Sequence, residues 1–466
     1  MTESVGGGND HAGTLTRLFG SPSYFRLWFS QAVSSLGDWI GLVAIIAIAA
    51  RVGGGNGGTA IGLVLSARVA PGLFLGSFVG VLADRLDRKR TMVFCDIGRG
   101  LVLLALPFVK DVPGLILASL LLELFTLTWS SAKEASVPNL VEQAFLPNAN
   151  SLSLAAAYGT FPISAAAFAG LVKLANEFSG TFGVHKLAQE SLAIWFDVGT
   201  FFLSAITITT LALPQRATSA VPSEGTLDVG RVFRDVREGF RLIGSNNVVK
   251  AVLIGLTCGL AGGGAVVPLG PVFSKQVLRA GSAGFGVLLT VLGVGVAAGV
   301  IGVTVVQKRI PHTRTFVAVV YGGGAFLIAA ASTSSLWLAG VFAVGLGICG
   351  GAVYVLGFSL LQSEVNDELR GRVFATLYTS TRLSLFLALL IPGFVSDRLD
   401  GLSKLLFGRR ISVGSATLHL PGVRLTLWLA GVIILVAGLL AQRSLRSAPP
   451  KASSEPPYRS SASSAE

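Results

Sequence analysis

Charge is scarce in this sequence. Only 13% of its 466 residues are Asp, Glu, Lys or Arg, against roughly 25% in soluble domains, so an ordinary water-soluble fold is excluded. The sulfur residues and histidine are scarcer still. Cys95, Cys258 and Cys349 all lie in apolar runs without CxxC or paired spacing, so they read as small packing residues and exclude a disulfide framework. His11, His185, His312 and His419 fall in loops or tails with no shared ligand spacing, so no metal site is expected. The phosphate-cradling pattern Gly-x-x-x-x-Gly-Lys-Ser/Thr is missing, which excludes a motor run on nucleotide. No nucleophile–base constellation appears either, so an enzyme is the least favoured class and no cofactor is expected.

Apolar sequence fills the space that charge leaves. Hydrophobic residues make up 52% of the chain and the mean hydropathy is +0.71. Crossing the hydrocarbon takes roughly 20 apolar residues. Twelve runs approach that length, at about 27–50, 60–83, 91–109, 113–132, 151–172, 191–213, 249–273, 284–306, 315–331, 336–361, 373–396 and 424–441. The expected fold is therefore an all-α membrane protein of about twelve transmembrane helices. Glycine is abundant, with 58 residues against about 33 at average usage. Its spacing within spans, as at Gly293, Gly295, Gly299 and Gly302, suits close helix contact in lipid.

The net charge of +12 invites a nucleic-acid reading, which its distribution opposes. With the N-terminus placed in the cytoplasm, 21 of the 36 Lys and Arg fall in cytoplasmic stretches, 11 in external loops and four within spans. Such positive-inside asymmetry orients an inner or plasma-membrane protein with both termini cytoplasmic. Five of the external cations lie between the last two spans: Arg398, Lys404, Arg409 and Arg410 in the loop 397–423, and Arg424 at its end.

The longest cytoplasmic connection divides the runs six and six. The domains expected are a tail over 1–26, a six-helix bundle over 27–213, a linker over 214–248, a second bundle over 249–441 and a disordered tail over 442–466. In the linker, Val232, Phe233, Val236 and Phe240 share a helical face beside Arg231, Arg234, Arg237 and Arg241. That pattern suits an amphipathic helix at the anionic cytoplasmic interface.

Gly80-Val-Leu-Ala-Asp84-Arg85-Leu-Asp87-Arg88-Lys89-Arg90 crowds four cations and two carboxylates into a turn between two spans. This spacing resembles the loop between the second and third helices of the major facilitator superfamily, with Asp87 where that family usually has Gly. Ser35-Leu-Gly37-Asp38-Trp39, Asp96-x-x-Arg99, Val137-Pro138-Asn139-Leu140-Val141, Leu146-Pro147-Asn148-Ala149-Asn150-Ser151-Leu152, Asp197 to Phe201 and Arg370-Gly371-Arg372-Val373-Phe374 are similar to its drug-efflux and siderophore-export branch, of the transmembrane secretion effector type. The resemblance covers most of the chain. It implies the major facilitator fold, two six-helix bundles alternating access to a central cavity. It also implies a conformational latch in which Gly80, Asp84, Arg85, Arg88 and Lys89 meet Arg370 and Arg372 at the start of the eleventh span. If the first, fourth, seventh and tenth helices face inward, as in that family, Trp39, Phe125, Tyr354 and Phe358 are candidates to line the cavity.

Charges inside a bilayer cost about 2.5–3.5 kcal/mol each even on the lenient insertion scale, so each needs a reason. At 1.5 Å per residue, Asp38 lies about 18 Å below the outer end of its helix and Arg68 about 12 Å below, within reach of one another. They form either a structural salt bridge or a gating pair. Asp96 and Arg99, at i and i+3, suit an intrahelical pair. Asp197 suits a structural hydrogen bond, and Arg382 has no evident partner. The fourth span lacks the Arg that many proton-driven exporters of the family carry there. Its one charge, Glu123, is the leading candidate for proton coupling, with Asp38 in reserve. The reading is secondary transport of a small amphiphilic compound (drug, siderophore or metabolite), exported against protons. Its partners are that substrate, protons and the lipid bilayer, without nucleic acid or nucleotide. The alternative is a transport-inactive, facilitator-like sensor or assembly subunit.

Overall fold

The computed structural model describes residues 17–75, 86–181, 191–211, 246–306, 309–364, 367–408, 410–413 and 416–447. The first half consists of α1 (Pro22–Val52), α2 (Gly57–Phe74), α3 (Arg88–Ala105), α4 (Val112–Ser136), α5 (Leu146–Tyr158), α6 (Phe161–Thr181) and α7 (Ser191–Thr209). The second consists of α8 (Asn247–Gly263), α9 (Val266–Gln276), α10 (Gly281–Val306), α11 (His312–Ser332), α12 (Leu336–Glu364), α13 (Asp367–Phe407) and α14 (Gly422–Arg446). Eleven stretches among the described residues are helical, long and apolar enough to cross a membrane. The run expected at 151–172 is not one of them; it divides between α5 and α6 at Gly159-Thr160. The seventh run also breaks, at Gly264-Ala265 between α8 and α9, where the triple glycine meets Pro268. The linker over 214–248 lies outside the described residues except for its last three.

Helix starts are set by local chemistry. Ser21 caps α1, accepting from Tyr24 N at 3.0 Å, with Pro22 in the first turn. Asp111 caps α4 through Gly114 N at 2.9 Å, and Asn246 caps α8 through Val248 N at 2.9 Å. Asp87, the departure from the family pattern, caps α3, with its Oδ1 2.8 Å from Arg90 N. Each cap satisfies an N–H that has no partner inside its helix.

Glycine sets the closest packing. In α10, Gly295 and Gly299 face the backbone of α12 at Val344 and Ile348, and in α12, Gly347 and Gly351 face the backbone of α10 at Leu292 and Val296. No side chain fits between these helices, so their backbones touch.

The 41 residues of α13 span about 60 Å, roughly twice the hydrocarbon thickness, so this helix extends beyond the membrane. The loop expected over 397–423 is therefore corrected. Helix continues to Phe407, and an antiparallel hairpin follows, pairing Arg410–Val413 with Ala416–His419. The extension is tied to the start of α14. Ser403 Oγ donates to Leu420 O at 2.6 Å, and Gly422 N donates to Asp400 Oδ1 at 3.1 Å.

The halves meet where α1 ends and α2 begins. Antiparallel to α2, α13 sets Gly393 against Gly58 and Leu389 against Gly62. A core of the first half, built around Ile40, Ile45, Ile61 and Phe201, takes in Phe285, Leu289 and Leu389 of the second. At the opposite end of the first half, the cluster of Tyr24, Leu27, Met92, Trp129 and Ile208 includes no residue of the second half. The molecule is closed at one end.

Candidate functional site

The first half holds a polar network in its apolar interior. Asp38 lies mid-way along α1, where an ionised group needs partners. Arg68 of α2 places Nη2 3.2 Å from its Oδ1, and Arg99 of α3 places Nη1 3.4 Å from its Oδ2. Arg99 Nη2 also bonds Asp96 Oδ1 one turn earlier on the same helix. Ser204 of α7 donates to Asp96 Oδ2 at 2.7 Å and lies 2.9 Å from Ser30 of α1. The Arg99 guanidinium carbon sits 4.2 Å from the Phe201 ring centre and 5.4 Å from that of Trp129, so aromatic faces take up charge the carboxylates leave open. The two carboxylates balance the two guanidiniums.

Exposure divides the network. The side chains of Arg99 and Asp96 are 2% and 0% exposed, whereas those of Asp38 and Arg68 are 24% and 15% exposed. One pair is sealed among helices and the other is open. Asp197 on α7 stands apart: it is buried against Gly37 and Gly41 of α1, and its Oδ1 is 3.3 Å from Thr200 Oγ1.

Glu123, on α4, is half-buried and makes no hydrogen bond or ion pair among the described residues. Its charged surroundings include Arg68, Asp38 and Arg99 of the first half and Arg382 of the second. Arg382, without an evident partner in the sequence, thus belongs to the electrostatic surroundings of Glu123.

The aromatic residues separate into two groups. Trp39 donates from Nε1 to Ala157 O at 2.8 Å and meets the Phe161 ring edge-on at 4.8 Å, so it wedges the break between α5 and α6. Phe125 lies over Gly98 of α3 and edge-on to Phe94 at 5.9 Å. Both pack within the first half. Tyr354 and Phe358 on α12 lie 4.6 Å apart, and Phe358 lies 6.2 Å from Tyr378 on α13. Tyr354 is 56% exposed and Tyr378 51% exposed. On α12, Gly347 and Gly351 turn toward α10, and Gly357 toward Leu256 of α8. Tyr354 falls between those directions, on the face turned to the gap between α8 and α10. Tyr378 went unnoticed in the sequence because nothing there marks which face of its helix is turned inward.

Of the latch residues, Gly80, Asp84 and Arg85 lie outside the described residues. Arg88 and Lys89 open α3, and Lys89 Nζ donates to Leu211 O at 2.8 Å, beyond the end of α7. Arg370 and Arg372 lie in the first two turns of α13.

The sequence pattern of the Major Facilitator Superfamily matches residues 27–389. The chain belongs to the Major Facilitator Superfamily. Among superfamily relatives, the uncharacterised MFS-type transporter YfiS of Bacillus subtilis (strain 168) is 23% identical over 387 residues, which is 79% of this chain and 85% of that one. BacE of Bacillus subtilis, a proposed bacilysin exporter, is 29% identical over 290 residues, 62% of this chain and 66% of its own. Solved superfamily structures share the fold. A bacterial homologue of the human lysosomal transporter Spinster, in an inward-facing, unoccupied conformation, superposes with a TM-score of 0.68 at 16% identity, covering 92% of this chain and 99% of that one. The nucleoside transporter NupG gives 0.66 at 11% identity, covering 91% and 99%. Superfamily membership makes this chain a multi-pass membrane transporter rather than an enzyme.

Proposed function

We propose that the protein exports a small amphiphilic compound by alternating access, driven by protons moving inward. The observation that carries this reading is Glu123, a carboxyl group without a hydrogen-bonding partner among the described residues, beside the open Asp38–Arg68 pair and under the influence of Arg382 from the other half. A carboxyl group so placed can take a proton from one side and release it to the other. One proton moving down roughly 150 mV supplies about 3.5 kcal/mol, enough to hold a neutral solute at a gradient of a few hundred-fold. Tyr354, Phe358 and Tyr378 offer ring faces and hydroxyls to an amphiphilic, partly aromatic substrate. The similarity to a proposed exporter supports the outward direction.

In this reading the two halves are the six-span bundles, both termini are cytoplasmic, and the protein resides in the cell membrane. The positive-inside count supports that orientation. The closed end then faces outward and the cavity faces the cytoplasm. In vesicles with an imposed pH gradient, Glu123→Gln is expected to abolish uphill, gradient-driven efflux of a fluorescent amphiphile while leaving downhill exchange. Wild-type pumping by that variant would pass the proton-carrying role to Asp38.

A further inference from the structure

Asp397 takes no part in the polar network or the cavity. It lies on α13, in the second half, yet its Oδ2 accepts two hydrogen bonds from the first. Thr59 donates its backbone N–H at 3.1 Å and its hydroxyl at 2.5 Å. Because α2 begins at Gly57, the Thr59 N–H is one of the amides at a helix start with no partner inside the helix. The preceding residue, Asn56, makes no side-chain cap. The cap of α2 therefore comes from the other bundle, and a carboxylate there also meets the positive end of the helix dipole. Glycine lets the backbones approach closely enough for this. A Cβ on Gly58 would lie 3.3 Å from Asp397 Oδ1 and 3.4 Å from Gly393 Cα.

One turn further on, Asp400 makes a comparable bond to the start of α14, accepting from Gly422 N at 3.1 Å. The two carboxylates differ in what they join. Asp400 and Gly422 sit in the same half, so their bond survives a rocking of the halves. Asp397 and Thr59 sit in different halves, so their bonds exist only while this end is shut.

We infer that Asp397 is a positioning residue of the transport cycle, a clasp between the bundles whose bonds to Thr59 set how often the closed end opens. The inference rests on the alternating-access reading above, and its test needs neither substrate nor gradient. Gly55 and Gly401 flank the contact, and a Cβ added at either meets no heavy atom within 4 Å. Spin labels on Gly55→Cys and Gly401→Cys, in the full chain with its three cysteines replaced by alanine and held in lipid nanodiscs, report the separation by pulsed dipolar spectroscopy.

The unaltered clasp is expected to give predominantly the short distance. Asp397→Ala is expected to shift the ratio of short to long distances about tenfold toward long, the scale of losing hydrogen bonds to a charged acceptor. Asp397→Asn keeps an acceptor and is expected to fall between. Thr59→Val removes the hydroxyl alone and is expected to shift the ratio less, and to add little when Ala already stands at 397. Should Asp397→Ala fail to fold, the Asn and Val variants decide the matter. An unshifted distribution in every variant overturns the clasp, as does a Thr59→Val effect undiminished in the Asp397→Ala background. So does a lowered melting temperature without a change in distance, which marks a merely structural bond. A chain that shows the shift but pumps nothing keeps the clasp and loses the export reading. One that pumps with unshifted distances loses the clasp alone.

Discussion

Arg99 is where the polar chemistry of the first half converges. Its guanidinium is 2% exposed, bonded to Asp96, 3.4 Å from Asp38 and flanked by two aromatic rings, and its Nε is buried without a partner among the described residues. Such a group depends on its counter-ions, because a buried charge left uncompensated costs about 3–5 kcal/mol. Asp38 is shared with Arg68 and partly exposed, so it does not replace Asp96. Asp96→Ala is accordingly expected to lower the thermal unfolding midpoint in detergent markedly, followed by tryptophan fluorescence. Replacing both members, Asp96→Ala with Arg99→Met, removes the stranded charge and is expected to recover much of the loss. Equal midpoints for the single and double variants would count against this account of the pair.

At the scale of the helix, the residue that departs from the family loop has a local task. Asp87 sits in extended backbone before α3 and accepts from Arg90 N at 2.8 Å. An N-cap carboxylate replaced by alanine costs about 1 kcal/mol, whereas glycine costs only a few tenths. Asp87→Gly, which restores the usual family residue, is therefore expected to unfold close to the wild-type temperature, and Asp87→Ala several times further below it. The neighbouring Lys89 reaches across to Leu211 O, so the cations of this turn also tie α3 to the chain beyond α7. An orientation signal and a helix start share the same few residues.

Across the whole molecule, two antiparallel helices, α2 and α13, run along the seam between the halves. At the closed end their glycines touch and Asp397 caps α2. At the other end the charged turn follows α2 and the cationic start of α13 carries Arg370 and Arg372. We propose that Asp84 binds there when the inner end shuts, since a carboxylate near a helix N-terminus gains about 0.3–1 kcal/mol, up to about 2 when partly buried. Asp84→Asn is expected to impair efflux in whole cells while expression stays near wild type. Full transport by that variant would dismiss the latch.

What the sequence determined by itself is whatever depends on short range or on bulk composition. Runs of about 20 apolar residues define spans because no other backbone arrangement satisfies its amides in lipid except a helix or closed barrel. The i, i+3 spacing of Asp96 and Arg99 is local, and depth along two helices brings Asp38 level with Arg68, 3.2 Å away in the structure. The superfamily was legible because its motifs are strings. Tertiary packing alone decided the remainder. The contact of Arg99 with Asp38 needs the rotation of α3 about its axis, which sequence periodicity leaves open when a helix is apolar all round. Trp39 and Phe125 are indistinguishable by type from Tyr354 and Phe358, yet the first two pack inside one bundle and Tyr354 faces the gap. The bonds from Thr59 to Asp397 join residues 338 positions apart, and they form only where two glycine-lined helices from separate halves bring their backbones together. No local pattern carries that information, because it belongs to the relative placement of two bundles.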